Sequence, residues 1–170
     1  LKFLNPSRHP IDLGADMCCD SAHKTLPALT GTAYLHISKN APPEYSDTAR
    51  EMMELFASTS PSYLLLASLD LCNAVLSDSF SERLSETVST VARIKANLIS
   101  QNIPILESEP LKIVVAANEF GYTGYGVAEI LRKAGIESEF SDNEYTVLMI
   151  SPENTERELE KAEQIISNIK

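Results

Sequence analysis

Apolar and polar positions change period repeatedly along the last sixty residues. Ile113-Val114-Val115-Ala116-Ala117 is an uninterrupted apolar run of strand length. Val127, Ala128, Ile130, Leu131 and Ala134 then recur at helical spacing, and Gly135 follows at a C-cap position. Residues 137–141 and 145–150 predict two further strands, with Asp142-Asn143 as the turn between them. Thr155 and Glu158 have capping-box spacing, and Leu159, Ala162, Ile165, Ile166 and Ile169 supply the apolar face of a closing helix. The order β-α-β-β-α describes a small α/β sandwich with its helices on one face of a sheet.

The preceding hundred residues are less regular. Residues 3–10 read as a loop, and residues 14–20 as a short buried strand with an apolar middle. A loop containing Pro27 leads to a second strand over residues 32–37. Pro42-Pro43 breaks the chain, after which Ser46 is placed to cap a helix bearing Ala49, Met52, Met53 and Phe56. Residues 62–77 predict a mostly apolar helix buried on more than one side. Ser79-Phe80-Ser81-Glu82 opens a long helix with a stripe at Leu84, Val88, Val91, Ala92, Leu98 and Ile99. The pattern sets a first domain over residues 1–78, a connecting helix over 79–103 and a small α/β domain over 104–170. Residues 104–170 carry a complete set of apolar faces, whereas the strands within 1–78 lack neighbours to cover their edges.

Composition narrows the function classes. Fourteen basic residues are scattered among twenty-four acidic ones, and a formal charge of −10 argues against nucleic acid as a partner. No apolar run approaches the roughly 20 residues that span a bilayer. Cys18, Cys19 and Cys72 are an odd count with two adjacent, which suits small buried thiols in a reducing compartment such as the cytoplasm. His9, His23 and His36 stand far apart without metal-ligand spacing, so no metal is expected.

Chemistry concentrates in Asp20-Ser21-Ala22-His23-Lys24-Thr25, where a strand ends and a loop begins. A lysine there, flanked by a hydroxyl and an imidazole, has the parts of a Schiff-base site, since a neutral amine can attack a carbonyl. Ser21 and His23 have the side chains to contact a phosphate. The wider run, Ser21-Ala22-His23-Lys24-Thr25-Leu26-Pro27-Ala28-Leu29-Thr30 followed by Ala33-Tyr34-Leu35-His36, resembles the lysine signature of the Orn/Lys/Arg decarboxylases. The similarity extends upstream through His9-Pro10 and Gly14-Ala15-Asp16. Downstream it runs through Ser58-Thr59-Ser60-Pro61-Ser62-Tyr63 and Ala67-Ser68-Leu69-Asp70.

The resemblance implies a pyridoxal 5'-phosphate (PLP) enzyme of the aspartate-aminotransferase fold type I. Residues 1–78 would be part of its large domain. Lys24 would be the Schiff-base lysine, with Ser21 and His23 around the cofactor phosphate, and Lys24 and His23 would be the candidates for proton transfer. Ser58 would reach the phosphate of a partner subunit in a homodimer or higher homo-oligomer, or else serve only at a helix break. The implied reaction is decarboxylation of a basic amino acid (lysine, arginine or ornithine) to a polyamine precursor. The family's Asp-x-Ala-His segment, its upstream phosphate loop and its extra C-terminal domain have no counterpart here, so the chain reads as a piece of a longer enzyme. Two alternatives stand beside this reading: another fold-type-I aminotransferase or lyase, and an isolated module without activity.

Other motifs carry less. Asn118 to Gly126 precedes a helix, but its glycines lack the G-x-G-x-x-G spacing and are better explained by a turn and close helix packing. Cys18-Cys19 lacks C-x-x-C spacing and reads as packing. His36 reads as a partly buried, hydrogen-bonded histidine, and Asp20 either orients the site or accepts in the strand-end turn.

Overall fold

The computed structural model describes residues 6–169, which form two compact units dividing at Ser81 and Glu82. Residues 3–5 of the expected first loop lie outside the described residues.

In the first unit, a 3-10 turn at Pro10–Leu13 leads to β1 (Met17–Ser21), and a second at Ala22–Lys24 follows directly. After a loop, β2 (Ala33–Ile37) pairs antiparallel with β1, Cys18 opposite His36 and Asp20 opposite Tyr34. Direct partners share a face of the ribbon, so Cys18, Asp20, Tyr34 and His36 stand together, and Met17, Cys19 and Leu35 line the other side. β1 is not buried as its apolar middle predicts: Met17 is 46 % exposed, and Cys19 is exposed as well. A strand apolar on both faces needs cover on both, and among the described residues only β2 pairs with it.

Helix α1 (Pro43–Phe56) begins at Pro43 rather than after Ser46. Proline suits the first helical position because its missing N–H would have no partner there. Ser46 therefore lies inside the first turn and is not the cap. Helix α2 (Tyr63–Ser77) also departs from expectation: Cys72 is its one fully buried residue, and Leu64 and Leu71 are exposed. Its apolar character exceeds what the described residues cover. Three polar contacts seat α2 nonetheless. The Tyr34 hydroxyl lies 2.9 Å from Asn73 Oδ1 and 3.2 Å from the Leu69 carbonyl, and the Leu29 N–H donates to Ser68 Oγ at 2.8 Å.

The second unit contains most of α3 (Phe80–Ser100), β3 (Ile105–Leu106), β4 (Lys112–Ala116), α4 (Gly124–Lys133), β5 (Phe140–Ser141), β6 (Tyr145–Met149) and α5 (Glu156–Ser167). The strands form an antiparallel sheet in the order β3-β4-β6-β5. Cross-strand partners Ile113–Leu148 and Val115–Thr146 are buried on one face, where α3, α4 and α5 close the core. Helix α3 does more than connect. Val91, Ile94 and Leu98 join that core, so the set of apolar faces in residues 104–170 is completed by residues before it. Ile94 carries the stripe, whereas Ala92 and Ile99, expected on it, face solvent.

Local chemistry explains the boundaries. Asn102, at φ 61°, ends α3 through Asn102 N–H to the Ile99 carbonyl and Ile103 N–H to the Leu98 carbonyl, with Ile103 packed into the core. Gly135, at φ 79°, repeats this arrangement after α4. The Asp142 carboxylate accepts from the Glu144 and Tyr145 amides to form the β5–β6 turn. Thr155 and Glu158 form the expected capping box. Strand β3 is an addition the loop-like Pro104–Pro110 region concealed, and β5 is shorter than residues 137–141 suggest. Among the described residues no single helix is long and apolar enough to cross a membrane.

Candidate active site

Strand β1 delivers its last residue, Ser21, to the turn Ala22–Lys24. Ala22 is the anchor, only 1 % exposed, and its N–H donates to the Thr32 carbonyl at 3.1 Å. The same carbonyl accepts from His23 Nδ1 at 3.1 Å. A carbonyl can only accept, so this contact places the ring proton on Nδ1 and leaves the Nε2 lone pair uncommitted. Thr32 is itself buried, with its hydroxyl donating to the Leu29 carbonyl at 2.7 Å. Together with the Leu29–Ser68 bond, these contacts hold the loop between the two strands.

Lys24 is exposed and makes no hydrogen bond or ion pair among the described residues, and Ser21 is exposed with no capping bond from its hydroxyl. The turn therefore offers a free amine, a free hydroxyl and an imidazole of set tautomer within four consecutive positions. Ser58 is not brought to them. It lies between α1 and α2, where its hydroxyl accepts from the Ser60 amide at 3.1 Å, and no hydrogen bond joins it to Ser21, His23 or Lys24.

A second grouping lies on the same ribbon. Asp20 Oδ2 is 2.8 Å from His9 Nε2 and 3.3 Å from His36 Nε2, and the two imidazoles meet edge to face. Cys18 Sγ is 3.9 Å from both His9 Nε2 and Asp20 Oδ2. Burial, and after it the Asp20 carboxylate, pushes the Cys18 thiol above its ordinary value. Tyr34, on the same face, is pushed up to about 12, first by burial and then by Cys72. Sequence spacing gave no sign of a set of metal-ligating side chains. Strand register supplies it, placing Asp20 and His36 on one face, while the turn before β1 returns His9 to them.

Comparison with known proteins adds to this geometry. The profile of the Orn/Lys/Arg decarboxylase major domain matches residues 12–115. The uncharacterized protein YaaO of Bacillus subtilis is 32 % identical over 151 residues, covering 84 % of this chain and 31 % of that protein. An arginine decarboxylase of Halalkalibacterium halodurans is 28 % identical over 169 residues, covering 92 % of this chain and 34 % of that one. The chain thus spans about a third of the length of the curated relatives it matches. Among solved structures, the lysine decarboxylase LdcF of Francisella novicida superposes with a TM-score of 0.74 at 17 % identity, over 87 % of this chain and 27 % of that one. A NifS-like protein gives 0.67 at 16 % identity, over 92 % and 47 %. These neighbours place the fold among the type I PLP enzymes, and with the profile covering more than half of its residues the chain belongs to the Orn/Lys/Arg decarboxylase family.

Proposed function

We propose that the chain carries the lysine-bearing part of a PLP-dependent decarboxylase acting on a basic amino acid, with Lys24 Nζ as the attachment point of the cofactor. One observation carries the reading: within the span matched by the family profile, a rigidly anchored strand-end turn presents Lys24 with its amine uncommitted. The donor set fits the group. Ser21 and His23 flank the lysine and would hold the cofactor phosphate, the first through its free hydroxyl. PLP, when bound, supplies an electron sink for the charge left by loss of CO₂.

The protein's own residues orient and move protons around it. Thr32 fixes the His23 ring through its carbonyl, so His23 Nε2 is the atom available to take a proton, and Lys24 Nζ is the second carrier. Ser58 would serve a partner subunit's phosphate in a homodimeric assembly. The substrate class follows from relatives named arginine decarboxylase and fold neighbours named lysine decarboxylase. Three free cysteines accord with a cytoplasmic location.

Treatment with PLP, borohydride reduction and peptide mapping tests the assignment. The pyridoxyl group is expected on Lys24. Its recovery on Lys39 or Lys112 instead would overturn the proposal.

A further inference from the structure

We propose that His9, Asp20 and His36 form a binding site for a divalent transition-metal ion of the Zn²⁺ class, independent of the cofactor reading. The three candidate ligand atoms, His9 Nε2, Asp20 Oδ2 and His36 Nε2, all lie within 4.8 Å of one another. Zinc bonds to nitrogen and oxygen of about 2.0–2.1 Å place neighbouring tetrahedral ligands roughly 3.3 Å apart. The 3.3 Å from Asp20 Oδ2 to His36 Nε2 falls at that spacing, and the 2.8 Å to His9 Nε2, a direct hydrogen bond without the ion, would open by about half an ångström on ligation.

Hydrogen bonding alone accounts for only half of the arrangement. His9 Nε2 and Asp20 are hydrogen-bonded, but the approach of His36 to the same oxygen carries no hydrogen bond. Both rings nevertheless converge on one oxygen, the geometry that a cation between three donors would use. Two imidazoles and a carboxylate leave a coordination position open, with Cys18 Sγ beside it at 3.9 Å from two of the three donors.

Burial suits a metal held by a protein and reached from solvent. The His9 side chain is 8 % exposed, whereas those of Asp20 and His36 are 41 % and 40 % exposed. The buried ligand fixes the site, and the two open ones give an ion its entry path. Ligation has an identifiable cost. His9 Nδ1 accepts from the Ile11 N–H at 3.3 Å, and binding a metal through Nε2 moves the ring proton to Nδ1 and gives up that contact. In return, the ion ties the turn before β1 to both strands of the ribbon, four residues from Lys24.

The test is titration of the chelator-treated 170-residue chain with Co²⁺, followed by visible absorption. One ion per chain is expected, with the intense d–d bands of four-coordinate cobalt, displaced by Zn²⁺. Asp20→Asn and His36→Ala should each weaken binding by more than the roughly 10–100-fold that loss of an outer hydrogen-bond partner costs. Both positions are partly exposed, and circular dichroism checks that the variants stay folded. The Cys19→Ser variant, on the opposite ribbon face, should bind as the parent does. Absence of the bands in the parent chain overturns the proposal. So does binding that survives Asp20→Asn at full strength, or binding lost on Cys19→Ser but kept in Asp20→Asn, which would assign the ion to the cysteine pair.

Discussion

Replacing Gly124 by alanine should destabilise the second unit far more than an exposed helix-start substitution ordinarily does. A Cβ at this position would stand 2.0 Å from the Tyr145 carbonyl oxygen, 2.5 Å from its carbon and 2.6 Å from the Asp142 carbonyl oxygen. Ordinary contact lies roughly 1.5 Å further out, and all three obstacles are backbone atoms that cannot rotate aside. Helix α4 must therefore lift from β6, at an overpacking cost of about 1–3 kcal/mol. The shift also breaks the bond from Thr146 Oγ1 to the Gly124 carbonyl, 2.6 Å long and fully buried. A stranded buried hydroxyl adds about 1–3 kcal/mol. For a unit of this size each kcal/mol lowers the midpoint by roughly 4–8 °C, so a fall of more than about 10 °C is expected. Amide exchange of β4 and β6 reads this unit by itself, and Gly126→Ala is the control, because its Cβ would meet nothing closer than Thr123 Oγ1 at 3.3 Å. The reasoning would be refuted by β6 protection in Gly124→Ala equal to the parent's, or by an equal loss in Gly126→Ala.

Three further outcomes are expected. Tyr34, raised to about 12 chiefly by burial, should ionise after the other tyrosines in an ultraviolet titration; its contribution to stability is whole below pH 10 and is lost as pH rises from there towards 12. A Tyr34 that titrated with the exposed tyrosines would contradict this. Thr155→Ala should cost about 1 kcal/mol in urea melts by removing the cap of α5. The Thr155 amide also holds the Glu158 carboxyl below its ordinary value, so this pairing supports the fold above pH 4.5 and fades as pH falls through the lowered value. An acid limb of the stability profile unchanged by Glu158→Gln would count against it. Lastly, the 170-residue chain with added PLP should release no CO₂ above background from lysine, arginine or ornithine. An effective sink needs an acid on the pyridine nitrogen, but Asp20 is taken by His9 and His36, Asp12 accepts from Ser7, and Asp16 stands just before β1, further back along the chain from Lys24. Turnover abolished by Lys24→Ala would overturn that expectation.

The parts of the fold legible in the sequence are those whose cause is local. Gly135 and the Thr155–Glu158 pair mark helix ends because a left-handed residue or a reciprocal side-chain bond acts within four positions. The helical stripes of α4 and α5 and the apolar run of β4 were readable for the same reason. Burial in the first unit was not. Periodicity reports which side chains would gain from cover, not whether cover is present, so apolar β1 and α2 both looked interior. In the structure Leu64 and Leu71 of α2 are exposed, and Met17 of β1 lines an open apolar groove of about 390 Å³ with Leu35 of β2 and Met52, Met53 and Phe56 of α1.

The candidate site divides along the same line. Ser21, His23 and Lys24 are sequence neighbours, so a strand-end motif sufficed to single them out, and the fold adds only the Thr32 carbonyl that sets the His23 tautomer. Ser58 was singled out by resemblance, and nothing in the described residues joins it to the other three. The His9–Asp20–His36 grouping shows the opposite case. Its members are separated by eleven and sixteen positions, too far for a turn or a helix to bring them together. It exists because β1 and β2 pair in one register, and a slip of one residue would send Asp20 and His36 to opposite faces. Register is set by packing across the whole ribbon, so a set of ligands that depends on it leaves no spacing in the sequence to find. The same dependence makes the grouping a sensitive reporter: any variant that shifts the ribbon should scatter these three side chains before it disturbs the turn that carries Lys24.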